Sequence, residues 1–285
     1  MMNIQLIERP SAQSCRSKED AVKLNTTLYK VAIDKLKPGD IIFSYYPNSY
    51  CLKDVVIKKG QKWFENFQSH RYIHAAIYLG QGQVAEATKK GYVINSIDGE
   101  RFKLSQRKTN EYRVFRQSNK ENRTALSVAA RSLGTRSVAH PYNYKTAFKS
   151  VFLINQVNTQ AIKRLLKAGY FVKTGMNPPT KGDHQKFHCS FAASWLLQGV
   201  DAQKIFDSLD IQIPDLSILS SKKKSQAFNQ WLDQVIHDYG SEIMKRIQIT
   251  LNVKYTTPQR LYQFLVNHPE QFRYLNTFSA TGSKF

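Results

Sequence analysis

Residues His74–Glu86 read H-A-A-I-Y-L-G-Q-G-Q-V-A-E. A histidine opens an apolar run, Gly80 and Gly82 bracket a turn, and Gln83–Thr88 runs back. Two short apolar runs around a glycine-rich turn predict a β-hairpin. In antiparallel pairing, opposed positions have a constant sum. A turn centred on Gly80 sets His74 opposite Glu86, with Cβ atoms roughly 5 Å apart on one face. A carboxylate beside an imidazole fixes its tautomer and favours its charged form. The pairing depends on register, because a slip of one residue sends the two side chains to opposite faces.

Strand signals continue on both sides of the hairpin, whose first strand spans Tyr72–Leu79. Upstream, L-K-P-G-D-I-I-F-S-Y-Y (36–46) places a Pro38-Gly39 turn before the apolar run Ile41, Ile42, Phe43. Downstream, Gly91–Ile97 and Tyr112–Arg116 read as strands. No long helical crossover separates these runs, so the sheet is expected to be antiparallel. From about residue 121 the pattern turns helical. Asn122–Leu133 reads as a helix with Gly134 as its C-cap. Thr146–Leu153 and Thr159–Ala168 follow, then a Gly/Pro-rich loop over Lys173–Phe187. A further helix opens at Cys189 and is expected to stop at Gln198-Gly199.

The fold class is therefore α+β, an antiparallel sheet packed against helices. Residues 1–30 form a polar arm, with a short helical candidate near Glu19–Tyr29. Residues 31–200 form the main domain. Residues 201–285 form a mostly helical extension packed on it, with a Lys-rich loop at Ser220–Ser225 and a helix starting in T-T-P-Q-R-L-Y-Q-F-L (256–265). Residues 49–69 read as a helix followed by a loop, or as a lid over a cleft.

The 285 residues are 41% hydrophobic and 12% aromatic, enough for a packed core and against global disorder. Lys and Arg number 42 against 21 Asp and Glu, a net charge of +21. Such a field favours anionic partners, and an anionic membrane surface or an acidic protein fits it. The basic residues are spread along the chain, so a solvated lysine-rich surface is the alternative. No nucleic-acid motif or aromatic–basic ladder accompanies the charge, so no specific nucleic acid is expected. The three cysteines, Cys15, Cys51 and Cys189, are odd in number and form no C-x-x-C. That suggests neither a disulfide framework nor a zinc ribbon, and fits a reducing compartment. The N-terminal residues lack an apolar signal region, and no run reaches eighteen apolar residues. The chain is expected in the cytoplasm, or exported by a route that needs no signal peptide.

Chemistry centres on F-H-C-S-F-A-A-S-W-L-L (187–197). A thiol at a helix N-terminus feels the positive end of the macrodipole, and a neighbouring imidazolium adds to it. Both populate the thiolate. Backbone N–H groups of the same turn can serve as an oxyanion hole. Cys189 as nucleophile, His74 as base and Glu86 as orienter would form a catalytic triad. Each has a plainer alternative: a small buried hydrophobe, a structural histidine and a solvated glutamate. His188 reads as a neighbour of the thiolate, and Trp63 as part of a lid or substrate wall, with core packing the alternative. His184, His188 and Cys189 lack a fourth metal ligand nearby in sequence, so no metal or cofactor is expected.

The order of these segments resembles a known family. P-G-D-I-I-F, then H-A-A-I-Y-L-G-Q-G-Q-V-A-E-A, then a helix before P-Y-N-Y, then H-C-S at a helix start is similar to the circularly permuted papain-like fold. That is the permuted branch of the NlpC-type superfamily, with YiiX/YebB-like hydrolases and proteins similar to lecithin retinol acyltransferase. In this branch the histidine precedes the cysteine. The resemblance covers roughly 36–118 and 121–200, and implies His74 as base, Glu86 as the polar third member and Cys189 as nucleophile. It also implies an aromatic, cleft-lining or structural role for Tyr142 and Tyr144. The expected activity is a thiol hydrolase (peptidase or amidase-like) or an acyltransferase, acting on an amide, ester or thioester of a peptide or lipid. A bacterial protein, exported as an effector, is expected on the same grounds. The alternative is a non-catalytic binding module on the same fold. Residues 48–70 and 201–285 have no counterpart in the family pattern.

Overall fold

A computed structural model describes residues 34–45, 74–88, 91–97, 110–135, 159–176, 178, 189–248 and 256–280. The strands are β1 (Ile41–Tyr45), β2 (His74–Gly80), β3 (Gln83–Thr88), β4 (Gly91–Ser96) and β5 (Asn110–Gln117). Then come α1 (Lys120–Thr135), α2 (Thr159–Thr174), α3 (Cys189–Ser208), α4 (Ser221–Arg246), α5 (Pro258–Val266) and β6 (Phe272–Ala280). The six strands form one sheet in the order β4-β3-β2-β1-β5-β6, and every neighbouring pair is antiparallel. The α+β class and the antiparallel sheet stand as the sequence suggested. The expected segments at 1–30, 49–69 and Thr146–Leu153 lie outside the described residues.

The hairpin turn sits one position later than the glycine pattern implied. Gly80 pairs with Gln83, and Gln81 and Gly82 form the two-residue loop at φ 51° and 69°. Two positive φ values match the twist of the flanking strands, and Gly82 adopts its value without a Cβ clash.

The sheet has two distinct apolar faces. Ala75, Ile77, Leu79, Ala85 and Ala87 pack in one core with residues of α1, α3 and α5. Their alternates Ala76, Tyr78 and Val84 join Ile42, Ile97 and Val114 in a separate cluster on the other face. Burial on both faces is why β2 reads as an unbroken apolar run rather than an alternation.

β1 is clamped to β2 through the P-G-D turn. Gly39 N donates to Tyr78 O at 2.7 Å, and Tyr78 N donates to Asp40 O at 2.8 Å. Gly39 has φ 88°, and a Cβ there would lie 2.2 Å from Arg123 O, so no side chain fits. The Asp40 carboxylate is buried and receives Arg116 Nε at 2.8 Å, Arg116 NH2 at 2.7 Å and Lys37 N at 2.8 Å.

α3 is the central helix, and every residue from Cys189 to Ala202 is buried. It does not stop at Gly199. A Cβ on Gly199 would stand 2.7 Å from Ala168 O and 2.5 Å from Val172 Cγ2, while one on Gly169 would meet Ala202 and Phe206. The two glycines let α2 and α3 cross closely, so Gly199 is a packing residue and not a cap. Gly134 likewise lies inside α1, where Ile94 occupies the space a Cβ would need.

The expected boundary at 200 falls within α3. Beyond it, the Lys-rich stretch forms the first turn of α4 rather than a loop. α4 packs on α2 and the second half of α3 in its own core, with Phe228 edge-on to Tyr170. α5 begins as the sequence suggested: Pro258 opens it, and Thr257 caps it by accepting from Arg260 N at 3.1 Å. The region 201–285 is not purely helical, because β6 pairs with β5 and completes the sheet. No helix among the described residues is long and apolar enough to cross a membrane.

Candidate functional site

His74 opens β2 and Glu86 lies near the end of β3. Ile77 faces Ala85 and Tyr78 faces Val84. Extending that register sets Glu86 opposite Ala76, so His74 and Glu86 are diagonal neighbours and not directly opposed. The shift from the expected register is two positions, which preserves the face. Diagonal Cβ atoms lie about 7–8 Å apart, within reach of two long side chains. His74 Nε2 indeed contacts Glu86 Oε2. Glu86 is 1% exposed and His74 7%.

A third side chain extends the chain of contacts. Asn95 Nδ2 donates to Glu86 Oε1 at 2.7 Å. Asn95 faces Val84 across β3 and β4, which puts it on the same face as Glu86. The carboxylate is thus held through both oxygens, and the imidazole through Nε2. Asn95 was legible in principle: the alternation that assigns Glu86 its face, carried across the next turn, assigns Asn95 the same one.

On the other side of β2, Ser44 stands directly opposite His74. It is 3% exposed, and its Oγ has no hydrogen-bond partner among the described residues. Sequence reading passed over Ser44 because a lone serine in an apolar strand carries no motif.

Cys189 takes the first position of α3 and is 3% exposed. Next to it, Ser190 Oγ donates to Thr256 O at 2.7 Å, which ties the helix start to the residue before the α5 cap. The helix packs against β2 and β3. It does so on the face of Ala75, Ile77, Ala85 and Ala87. His74 and Glu86 have the other parity, that of Ala76, Tyr78 and Val84. His74 and Glu86 meet each other as expected. On β2 the residues that pack in one core with α3, Ala75, Ile77 and Leu79, alternate with His74. Tyr142, Tyr144, His188 and Trp63 lie outside the described residues, as does His184. Among the described residues no group of His, Cys, Asp or Glu has a metal-binding arrangement.

Tyr92 stands opposite Ala87 in the other core, close enough to feel the Glu86 charge. Its phenol is fully buried, and burial first, then the Glu86 charge, push its pKa far above the usual phenol range. Both act against the phenolate. In the unfolded chain the phenol ionises near pH 10. The stability this contributes is complete below that pH and falls as pH rises toward the folded value. Tyr92→Phe removes it. Urea unfolding from pH 9 to 11.5 should show wild-type stability falling faster than the variant's, approaching about 1.4 kcal/mol more per pH unit for the one proton involved. Parallel curves would show that Tyr92 does not resist ionisation.

No family model, curated protein or solved structure matches this chain.

Proposed function

We propose that the protein is a hydrolase or acyltransferase working through a covalent acyl intermediate. His74 is the base and Glu86 its orienter, acting on an amide, ester or thioester of a peptide or lipid. The observation that carries this is the buried His74–Glu86–Asn95 chain. A base oriented by a carboxylate, itself held by a further donor, is the supporting part of a nucleophilic site. The order of motifs, histidine strand before cysteine helix, nominates Cys189 as nucleophile in a permuted papain-like fold. For that role its sulfur must come within hydrogen-bond reach of the His74 ring.

The test is intact-protein mass spectrometry after incubation with acyl-CoA, phospholipid and peptide pools. The expected result is an added acyl mass, mapped to Cys189 and absent from Cys189→Ala. No adduct with any pool, in a protein with the wild-type melting temperature, would overturn the assignment of a thiol acyl-enzyme.

The deep burial of His74 and Glu86 favours a second reading. Here the fold is a non-catalytic module, His74–Glu86–Asn95 is a structural core network, and the basic surface docks an anionic membrane or an acidic protein. Binding to anionic but not zwitterionic vesicles, without turnover of any pool, would select it.

A further inference from the structure

We propose that the turn leading into α4 is a membrane-docking tip: Ile218 inserts among the acyl chains of an anionic bilayer while Lys222 and Lys223 rest on its headgroups. This rests on the membrane-docking part of the second reading above and names the surface that does it. It asks nothing of His74, and holds whether or not the protein is an enzyme.

The run Leu216-Ser217-Ile218-Leu219 puts three large apolar side chains within four positions, and the fold treats them differently. Leu216 is 3% exposed, and Leu219 packs against the same core. Ile218, between them, is 89% exposed, more than any other large hydrophobic side chain among the described residues. The turn that displays it is braced. Leu219 N donates to Leu216 O at 3.3 Å, and Ser217 N donates to Asp215 Oδ1 at 2.9 Å. Ile218 is therefore held out between two buried anchors. A lone projecting side chain forms no groove for a protein partner, whereas a fluid acyl layer needs no matching shape to receive it.

Charge accompanies it. Lys222, Lys223 and Lys224 fill the first turn of α4, which carries no acid. Cations there run against the helix macrodipole, which favours carboxylates at that end, so these lysines are not placed for the helix's own stability. From residue 216 to residue 232 the chain holds no Asp or Glu. Lys224 is half-buried, and Asp215 feels its charge. Lys222 and Lys223 are exposed and form no ion pair among the described residues. An exposed apolar side chain beside two exposed cations combines the two components of interfacial binding, insertion at the acyl boundary and attraction to anionic headgroups. The net charge of +21 adds long-range attraction to the same surface.

The full chain should be sedimented with sucrose-loaded vesicles of phosphatidylcholine, alone or mixed with phosphatidylserine. The expected result is binding to the mixed vesicles only, released by salt. Ile218→Ser should weaken it about tenfold or more, as one apolar side chain no longer leaves water. Ile218→Phe should restore it. The pair Lys222→Gln and Lys223→Gln should weaken it about 25-fold, near fivefold for each charge at the surface. The pair Lys35→Gln and Lys120→Gln removes the same charge from exposed positions elsewhere and should change binding much less. Ile218, Lys222 and Lys223 are exposed, so melting temperatures should stay at the wild-type value. Equal loss in both lysine pairs, with Ile218→Ser binding as wild type, overturns the tip and leaves a diffuse basic surface docking the membrane. No binding to anionic vesicles overturns the tip and the membrane reading together. Binding to immobilised polyglutamate but not to vesicles also overturns the tip, and selects an acidic protein partner.

Discussion

Asp40→Ala is expected to cost about 3–5 kcal/mol of unfolding free energy, the range for breaking one partner out of a buried ion pair. Asp40 has no exposed side-chain surface, and Arg116 has 17%. Both carboxylate oxygens accept from the guanidinium, and one also accepts Lys37 N. Arg116 reaches further, donating to Lys35 O at 2.9 Å. Removal of the carboxylate strands a largely buried cation and frees the turn that fastens β1 to β2. Arg116→Ala should cost as much or more, because the charge left behind is the more deeply buried one. The double variant should cost much less than the sum, since neither charge is then left alone. The measurement is the urea midpoint at constant m, read as a double-mutant cycle. Additive losses would mean that the pair is not a unit. Total stabilities of about 5–15 kcal/mol leave little margin for a change of this size.

The second large effect is on chemistry. With a substrate identified from the acyl pools, His74→Ala should slow turnover about 10²–10⁴-fold, the usual contribution of a positioned general base. Glu86→Gln should cost less, because the amide keeps the shape but withdraws the charge that stabilises an imidazolium. Asn95→Ala should cost less again, since Asn95 acts through Glu86. That order, base before orienter before support, separates a relay from a structural cluster. If the three variants lose turnover only in proportion to lost melting temperature, the network is a core feature and the non-catalytic module gains. The order does not depend on which side chain is acylated, so it tests the base independently of the nucleophile.

The strands were readable because each was short, apolar and bounded by Gly, Pro or polar residues. β3 matches its expected span from Gln83 to Thr88. The pairing of His74 with Glu86 also came through, though from a register two positions off, because the side-chain period of two forgives an even error. What was hidden depended on the third dimension. Gly134 and Gly199 looked like helix ends, and only the approach of Ile94 and Ala168 explains why a glycine is needed in mid-helix. β6 was missed because its nine residues follow a long helical stretch and mix aromatic with polar side chains, and its partner β5 lies far back in the chain. The side of the sheet on which α3 lies was not legible either. The apolar run of β2 offers both faces, and no local pattern says which one a distant helix covers.

β6 has a consequence for how the molecule comes into being. Residues 110–117 pair with residues 272–280, so the sheet's outer ladder joins positions from 155 (Gln117 and Phe272) to 170 (Asn110 and Ala280) apart in the chain. During synthesis β5 emerges early and waits with an open edge until the ribosome has passed residue 280. An open edge invites pairing with other chains. The wait puts the partly made protein at its greatest risk of aggregation in the interval when α2, α3 and α4 are being made. A fragment ending near residue 200, which the motif order would suggest as the minimal unit, would keep that edge open for good.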